Sequence, residues 1–128
     1  MKPITREWID KAEGDYAVAH REVRARKSPS YDAGCFHSQQ CVEKYLKARL
    51  QESGILFRKT HDLVNLLNLA LSVEPAWSAL RQDLIVLTDF GIDYRYPGRS
   101  ATKADALDAV KRCREARHAI RQSFGLPV

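Results

Sequence analysis

Three polar side chains on one helical segment are the residues of this chain best placed to do chemistry. In FHSQQCVEKYLKARLQESGILFRKTHDL, Phe36 to Leu63, an apolar helical repeat carries Gln40, Glu43 and Lys47 beside its core-facing side. Stepping about 100° per residue from Gln40 puts Val42, Cys35, Leu46, Leu50 and Phe36 on an arc of about 200–320°. Gln39, Glu43 and Lys47 fall at about 260°, 300° and 340°, inside or beside that arc. A carboxylate placed there needs a partner or it neutralises. Glu43 and Lys47 stand four residues apart with the acid first, the favourable order. Two readings are open. One is an ordinary intrahelical ion pair worth about 0.3–0.5 kcal/mol. The other is the edge of a groove, at a subunit interface or a ligand cleft. There Gln40 supplies amide hydrogen bonds, Glu43 an acceptor and Lys47 a cation for phosphate.

Two further clusters join these three residues. Thr60-His61-Asp62 reads either as a helix cap with a surface histidine, or as an anion site with His61 and Lys59 beside a helix N-terminus. Tyr94-Arg95-Tyr96-Pro97-Gly98-Arg99 offers two rings for base stacking and two guanidiniums for phosphate. Its plainer reading is a loop pinned by tyrosines, with Arg95 paired to an acid such as Glu43 or Asp62. His37 and Cys41 are also four apart. Cys35 points about 160° away from His37 on the helical wheel, and a fourth ligand is missing, so no metal is expected. The chain has no GxGxxG, P-loop or GxSxG, so no cofactor is expected, and spacing alone defends no nucleophile.

Five helices must position these groups. No sustained two-residue alternation argues for a sheet. The first helix is expected from about Arg6 to Arg26 behind a Thr5 cap, stopped before Pro29. The second runs from about Ser30 to Ser53, ended by Gly54. The third starts after Thr60, with Asp62 near its positive end and Leu63, Leu66, Leu67 and Ala70 as its apolar face. The fourth begins near Pro75 and reaches about Phe90. After an irregular loop from Gly91, Thr102 and Asp105 form a capping box for the fifth, which Gly125 and Pro127 stop. Short linkers make this an all-α, up-and-down antiparallel bundle in one domain, 1–128.

The bulk numbers agree with a globular domain. The 128 residues are 45% hydrophobic and 29% charged, enough for one core without staples. Three cysteines, an odd number without CxxC spacing, argue for a reducing compartment, and a cytoplasmic location is expected. MKPITREWIDK lacks the apolar stretch of a secretory signal, and no run is long enough to span a bilayer, so no membrane is expected as partner. Of the net charge of +5, most sits in residues 91–128, which hold eight basic and four acidic groups. That suits a polyanion or acidic surface, and equally a solvated helix face.

Gln-x-x-Glu-Lys-x-x-Lys-Ala at 40–48, Thr-His-Asp-Leu at 60–63 and Arg-Tyr-Pro-Gly at 95–98, in that order, resemble the HEPN domain family (higher eukaryotes and prokaryotes nucleotide-binding). Trp-x6-Asp-Tyr at 8–16 resembles the family's first helix. The resemblance covers about residues 5–124. It implies a compact helical bundle, usually a homodimer, that works with a minimal nucleotidyltransferase in a two-protein module of toxin–antitoxin kind. Taken with the polar stripe and the two further clusters, the expected ligand-binding set is Gln40, Glu43, Lys47, His61, Asp62, Arg95, Tyr96 and Arg99, lining one shared recess that faces a nucleotide or RNA. Many family members are metal-independent RNases using an Arg-x(4–6)-His pair, in which His moves the proton and Arg stabilises the charged phosphorane. The one candidate of that spacing is Arg112 with His118. On an ideal helix the two lie about 120° off a common face. Cys113 stands where catalytic members have a small polar residue, and Ile120 where they have Tyr. The leading expectation is therefore a binding protein. The alternatives are an RNase toxin using Arg112 and His118, or a purely structural helical dimer.

Overall fold

Proline in a first turn, serine, aspartate or threonine before a start, and glycine past an end decide where the helices lie. The computed structural model describes all of residues 1–128. Helix α1 spans Pro3–Arg24 and opens on its proline, whose missing N–H costs nothing there. It therefore begins ahead of Thr5. That residue, expected as the cap, lies inside the helix, fully buried, where its hydroxyl donates to Glu52 Oε1 at 2.9 Å. Helix α2 spans Tyr31–Glu52; the Ser30 hydroxyl accepts from the Ala33 amide. Gly54 ends it at φ +68°, with Ile55 N–H to Leu50 O and Gly54 N–H to Gln51 O, the paired closure of a Schellman motif.

Helix α3 is Leu63–Ala70. Its cap is Asp62 rather than Thr60: the Asp62 carboxylate accepts from Val64 and Asn65, while the Thr60 hydroxyl accepts from Asp62 N–H. Both residues can cap, and the carboxylate has the advantage of charge against the helix dipole. The expected fourth helix is two pieces, a 3-10 segment Pro75–Leu80 anchored by buried Trp77 and α4 at Arg81–Asp93. It runs past Phe90 because Gly91 is used in helical form for close packing. Helix α5, Lys103–Ser123, has the expected reciprocal capping box of Thr102 and Asp105. Its end repeats the closure of α2: Leu126 N–H reaches Arg121 O, with Gly125 at φ +69°.

The bundle is all-helical, with α2 in contact with each of the other four α-helices. Cross-helix pairs give the directions. Thr5–Glu52, Glu13–Tyr45 and Glu22–Ser30 set α1 antiparallel to α2. Arg112–Asp83 and Tyr94–Asp105 set α4 antiparallel to α5. Because α2 is surrounded, its polar residues at core positions are largely shielded from bulk water, which turns the stripe into a buried network. No helix is long and apolar enough to cross a membrane. Cys35, Cys41 and Cys113 are buried free thiols. Burial, with Asp105, Asp32 and Asp108 adding, pushes Cys35 up to about 12. Burial and the adjoining Cys113 thiol push Cys41 well up as well.

A second polar hub ties three helices. Glu13 on α1 takes a two-pronged contact from Arg117 at 2.7 and 2.8 Å and the Tyr45 hydroxyl at 2.6 Å. Arg121 reaches both Tyr45 and Glu13. Burial alone would push the Glu13 carboxyl up. The hydrogen bonds from Arg117 and Tyr45 and the arginine charges outweigh it, and Glu13 sits below its ordinary value. A carboxyl that titrates lower folded than unfolded adds stability above the unfolded value of 4.5, and loses it as pH falls through the folded one. Urea midpoints should therefore stay level from about pH 7 to 5 and fall below about 4.5, with a shallower acid limb for Glu13→Gln. An E13Q acid limb identical to the wild type would remove Glu13 from this account.

Candidate functional site

The stripe on α2 closes into one hydrogen-bonded cluster. Glu43 is 4% exposed and Lys47 6%. Lys47 Nζ donates to Glu43 Oε2 at 3.1 Å, His61 Nδ1 to Oε1 at 2.7 Å, and Gln39 Nε2 to Oε1 at 3.4 Å. Gln39 Nε2 also donates to the His61 carbonyl at 2.8 Å, and Gln40 Nε2 to Gln39 Oε1 at 2.7 Å. A buried carboxylate is tolerated when its lone pairs are filled, and here three donors fill them. The Lys47 ammonium lies 5.6 Å from the Trp8 ring centroid and 5.9 Å from that of Phe57, so two aromatic faces share its charge with Glu43. This lysine is enclosed, unlike a cation held out for a ligand.

His61 is the part of the cluster that meets water. Its side chain is 55% exposed. With Nδ1 held by Glu43, the ring orientation is fixed and Nε2 has no partner within the chain. A carboxylate behind an imidazole sets the tautomer and leaves the outer nitrogen as acceptor or proton carrier. Asp62 is spent on the α3 N-terminus through its Oδ1. Short α3 holds this corner by burying Leu63, Leu66 and Leu67.

The Arg95 loop sits elsewhere on α2. The Arg95 guanidinium lies 5.5 Å from the Phe36 ring centroid and pairs with neither Glu43 nor Asp62. Arg99 reaches Asp93 at 3.5 Å and lies 5.9 Å from the Tyr94 ring. Tyr94 packs on Phe90 and its hydroxyl donates to Asp105 at 3.0 Å. Burial and that acid push the Tyr94 hydroxyl up. Tyr96 is 67% exposed. Beneath the loop lies a cavity of 240 Å³ bordered by Asp32, Phe36, His37, Phe90, Tyr94 and Arg95. Here too an imidazole is backed by an acid: His37 Nδ1 meets Asp15 Oδ1 at 2.7 Å, and Lys44 Nζ meets Asp15 Oδ2 at 2.5 Å.

The single recess expected from the sequence thus resolves into two neighbouring features. Phe36 and Glu43 are seven residues, about two turns or 10 Å, apart on α2. Gln39 stands between them. Gly91 lies against it so closely that a Cβ there would come 2.9 Å from Gln39 Cγ. Arg112 is committed to Asp108 and Asp83, all at 3.0–3.1 Å, and His118 is exposed on α5. No group of three or more potential metal ligands converges in the chain. Asp15, Lys44 and His37 were missed as a site because their pairing crosses between α1 and α2. Asp15 in the Trp-x6-Asp-Tyr pattern was the one local signal.

Comparison with other proteins gives the family and the fold. The HEPN domain model matches residues 5–123. A protein of Methanocaldococcus jannaschii named "Putative toxin MJ1304" is 30% identical over an alignment of 120 residues, covering 81% of this chain and 77% of that protein. The crystal structure of ST0689, an archaeal HEPN homologue, superposes with TM-score 0.76 at 27% identity, covering 96% of this chain and 98% of that one. TT1696 from Thermus thermophilus shares the fold, with TM-score 0.81 at 20% identity over 92% of this chain and 96% of its own.

Proposed function

This chain belongs to the HEPN domain family, and from that premise we propose that it is the nucleotide- or RNA-binding member of a toxin–antitoxin-type pair. Its partner in this reading is a minimal nucleotidyltransferase, and the chain itself forms a homodimer. The observation that carries the reading is His61, an outward-facing imidazole fixed from behind by a buried Glu43–Lys47–Gln39 network. Such a network constrains one side chain at the surface, which is how binding sites are pre-organised. The exposed Arg99 and Tyr96 lie on the loop beyond Gly91, and the basic excess of residues 91–128 supports an anionic ligand. The M. jannaschii relative, whose name is "Putative toxin MJ1304", supports the module.

Cleavage through Arg112 and His118 has no support in the geometry, since two carboxylates hold that guanidinium. The role proposed for the chain is therefore binding.

Co-expression with a nucleotidyltransferase encoded beside it, followed by pull-down and gel filtration, tests the pairing. The expected result is a shared peak and a dimer-sized chain alone. His61→Ala should weaken nucleotide or RNA binding by about 10-fold or more, the loss of one charge-assisted hydrogen bond, without lowering the dimer's stability comparably. A strict monomer that ignores the partner sinks the reading.

A further inference from the structure

The cavity between α2 and the end of α4 has the parts of a ligand site, and neither the His61 cluster nor the Arg112–His118 pair uses it. We propose that it is a mononucleotide site, taking one nucleobase among its aromatic rings with the phosphate against Arg95 and His37. The inference rests on the reading that this chain binds nucleotides or RNA, and gives that reading a place and a ligand class.

Four observations carry it. First, three aromatic rings line it, Phe36, Phe90 and Tyr94, the latter two stacked on each other at 5.9 Å and 28°. Ring faces of this kind accept any base by stacking. Second, Arg95 is an arginine bordering this cavity and has no carboxylate partner, whereas Arg99 on the same loop reaches Asp93. Its planar fork lies over Phe36 with donors free, the geometry that suits a phosphate. Third, His37 borders the same space with its Nδ1 fixed by Asp15, itself clamped by Lys44. The ring is thereby oriented without a ligand, and Nε2 remains for one. Fourth, Asp32 sets the limits. Its Oδ1 accepts from Ala101 N–H at 2.7 Å, and the carboxylate borders the cavity. That charge accepts an exocyclic amine and disfavours any phosphate near it, which leaves the Arg95 side for the phosphate.

Size narrows the ligand further. At 240 Å³ the cavity falls below the roughly 300 Å³ at which drug-sized pockets begin. It holds one base, with the sugar and phosphate at the mouth where Arg95 is exposed. The ligand is thus a nucleoside monophosphate unit, free or as the end of an RNA strand.

Titration of the isotope-labelled full chain with adenosine monophosphate, followed by NMR, tests this. Adenosine, inorganic phosphate, adenosine triphosphate and a short single-stranded RNA are run as separate arms. Expected are saturating shifts at Phe36, His37, Gly91 and Tyr94, with the monophosphate binding more tightly than the nucleoside, phosphate or triphosphate. Arg95→Ala, at an exposed position, should weaken it by about 10–100-fold, and His37→Asn by a smaller factor. Tighter RNA binding with the same shifts makes a strand end the occupant. Shifts confined to the surroundings of His61 overturn the cavity site while leaving the binding reading intact. An R95A affinity equal to the wild type, or a chain that captures its partner yet shows no shift with any arm, overturns it equally.

Discussion

Replacing Glu43 with alanine is expected to destabilise this protein by about 3–5 kcal/mol, a large part of the roughly 5–15 kcal/mol that holds a domain of this size together. The reason is what remains. Lys47 is largely enclosed by α2, Trp8 and Phe57, and without Glu43 its buried ammonium has no counter-charge. An exposed pair with the same spacing would lose about 0.3–0.5 kcal/mol. Urea denaturation separates the two cases directly. Removing both charges, with Glu43→Gln and Lys47→Met together, should recover most of the loss, because an apolar replacement of a buried pair is often neutral. A single-variant loss below about 1 kcal/mol would mean that the pair is solvated after all.

Leu66→Ala should cost about 2–5 kcal/mol and also disturb the site. Helix α3 has eight residues, too few to be stable alone, so its packing face keeps it formed. Leu66 is fully buried on that face, and the His61 corner is the lead-in to the helix. Hydrogen exchange should show the α3 amides losing protection before those of α2, and the His61 resonances should lose the signature of the Glu43 contact. A variant with the full stability loss and an unchanged His61 environment would show that the corner is held by Glu43 and Gln39 alone.

The helices were legible because each carries local marks. Capping at Thr102–Asp105, a stop at Gly54 and a start at Pro75 all act within a few residues. The errors arose where two local marks compete: Pro3 against Thr5, and Asp62 against Thr60. The continuation of α4 through Gly91 had no local mark, since that glycine is required by Gln39 on another helix. The polar stripe was visible as a clash between periodicity and polarity on α2. Its closure on His61 was suggested by Thr-His-Asp-Leu, but the separation from Arg95 was not, because helical phase says nothing of distance between elements. Asp15–His37 and Glu13–Arg117 join residues 22 and 104 positions apart, and pairings of that kind leave no periodic trace.

The depth of Cys35, Cys41 and Cys113 gives this molecule a built-in gauge. A thiol reagent finds nothing to attack on the intact bundle, so the rate of its modification measures how often the whole interior opens. Because Cys41 on α2 and Cys113 on α5 adjoin, they should react together, while an event that frees α3 alone leaves all three untouched.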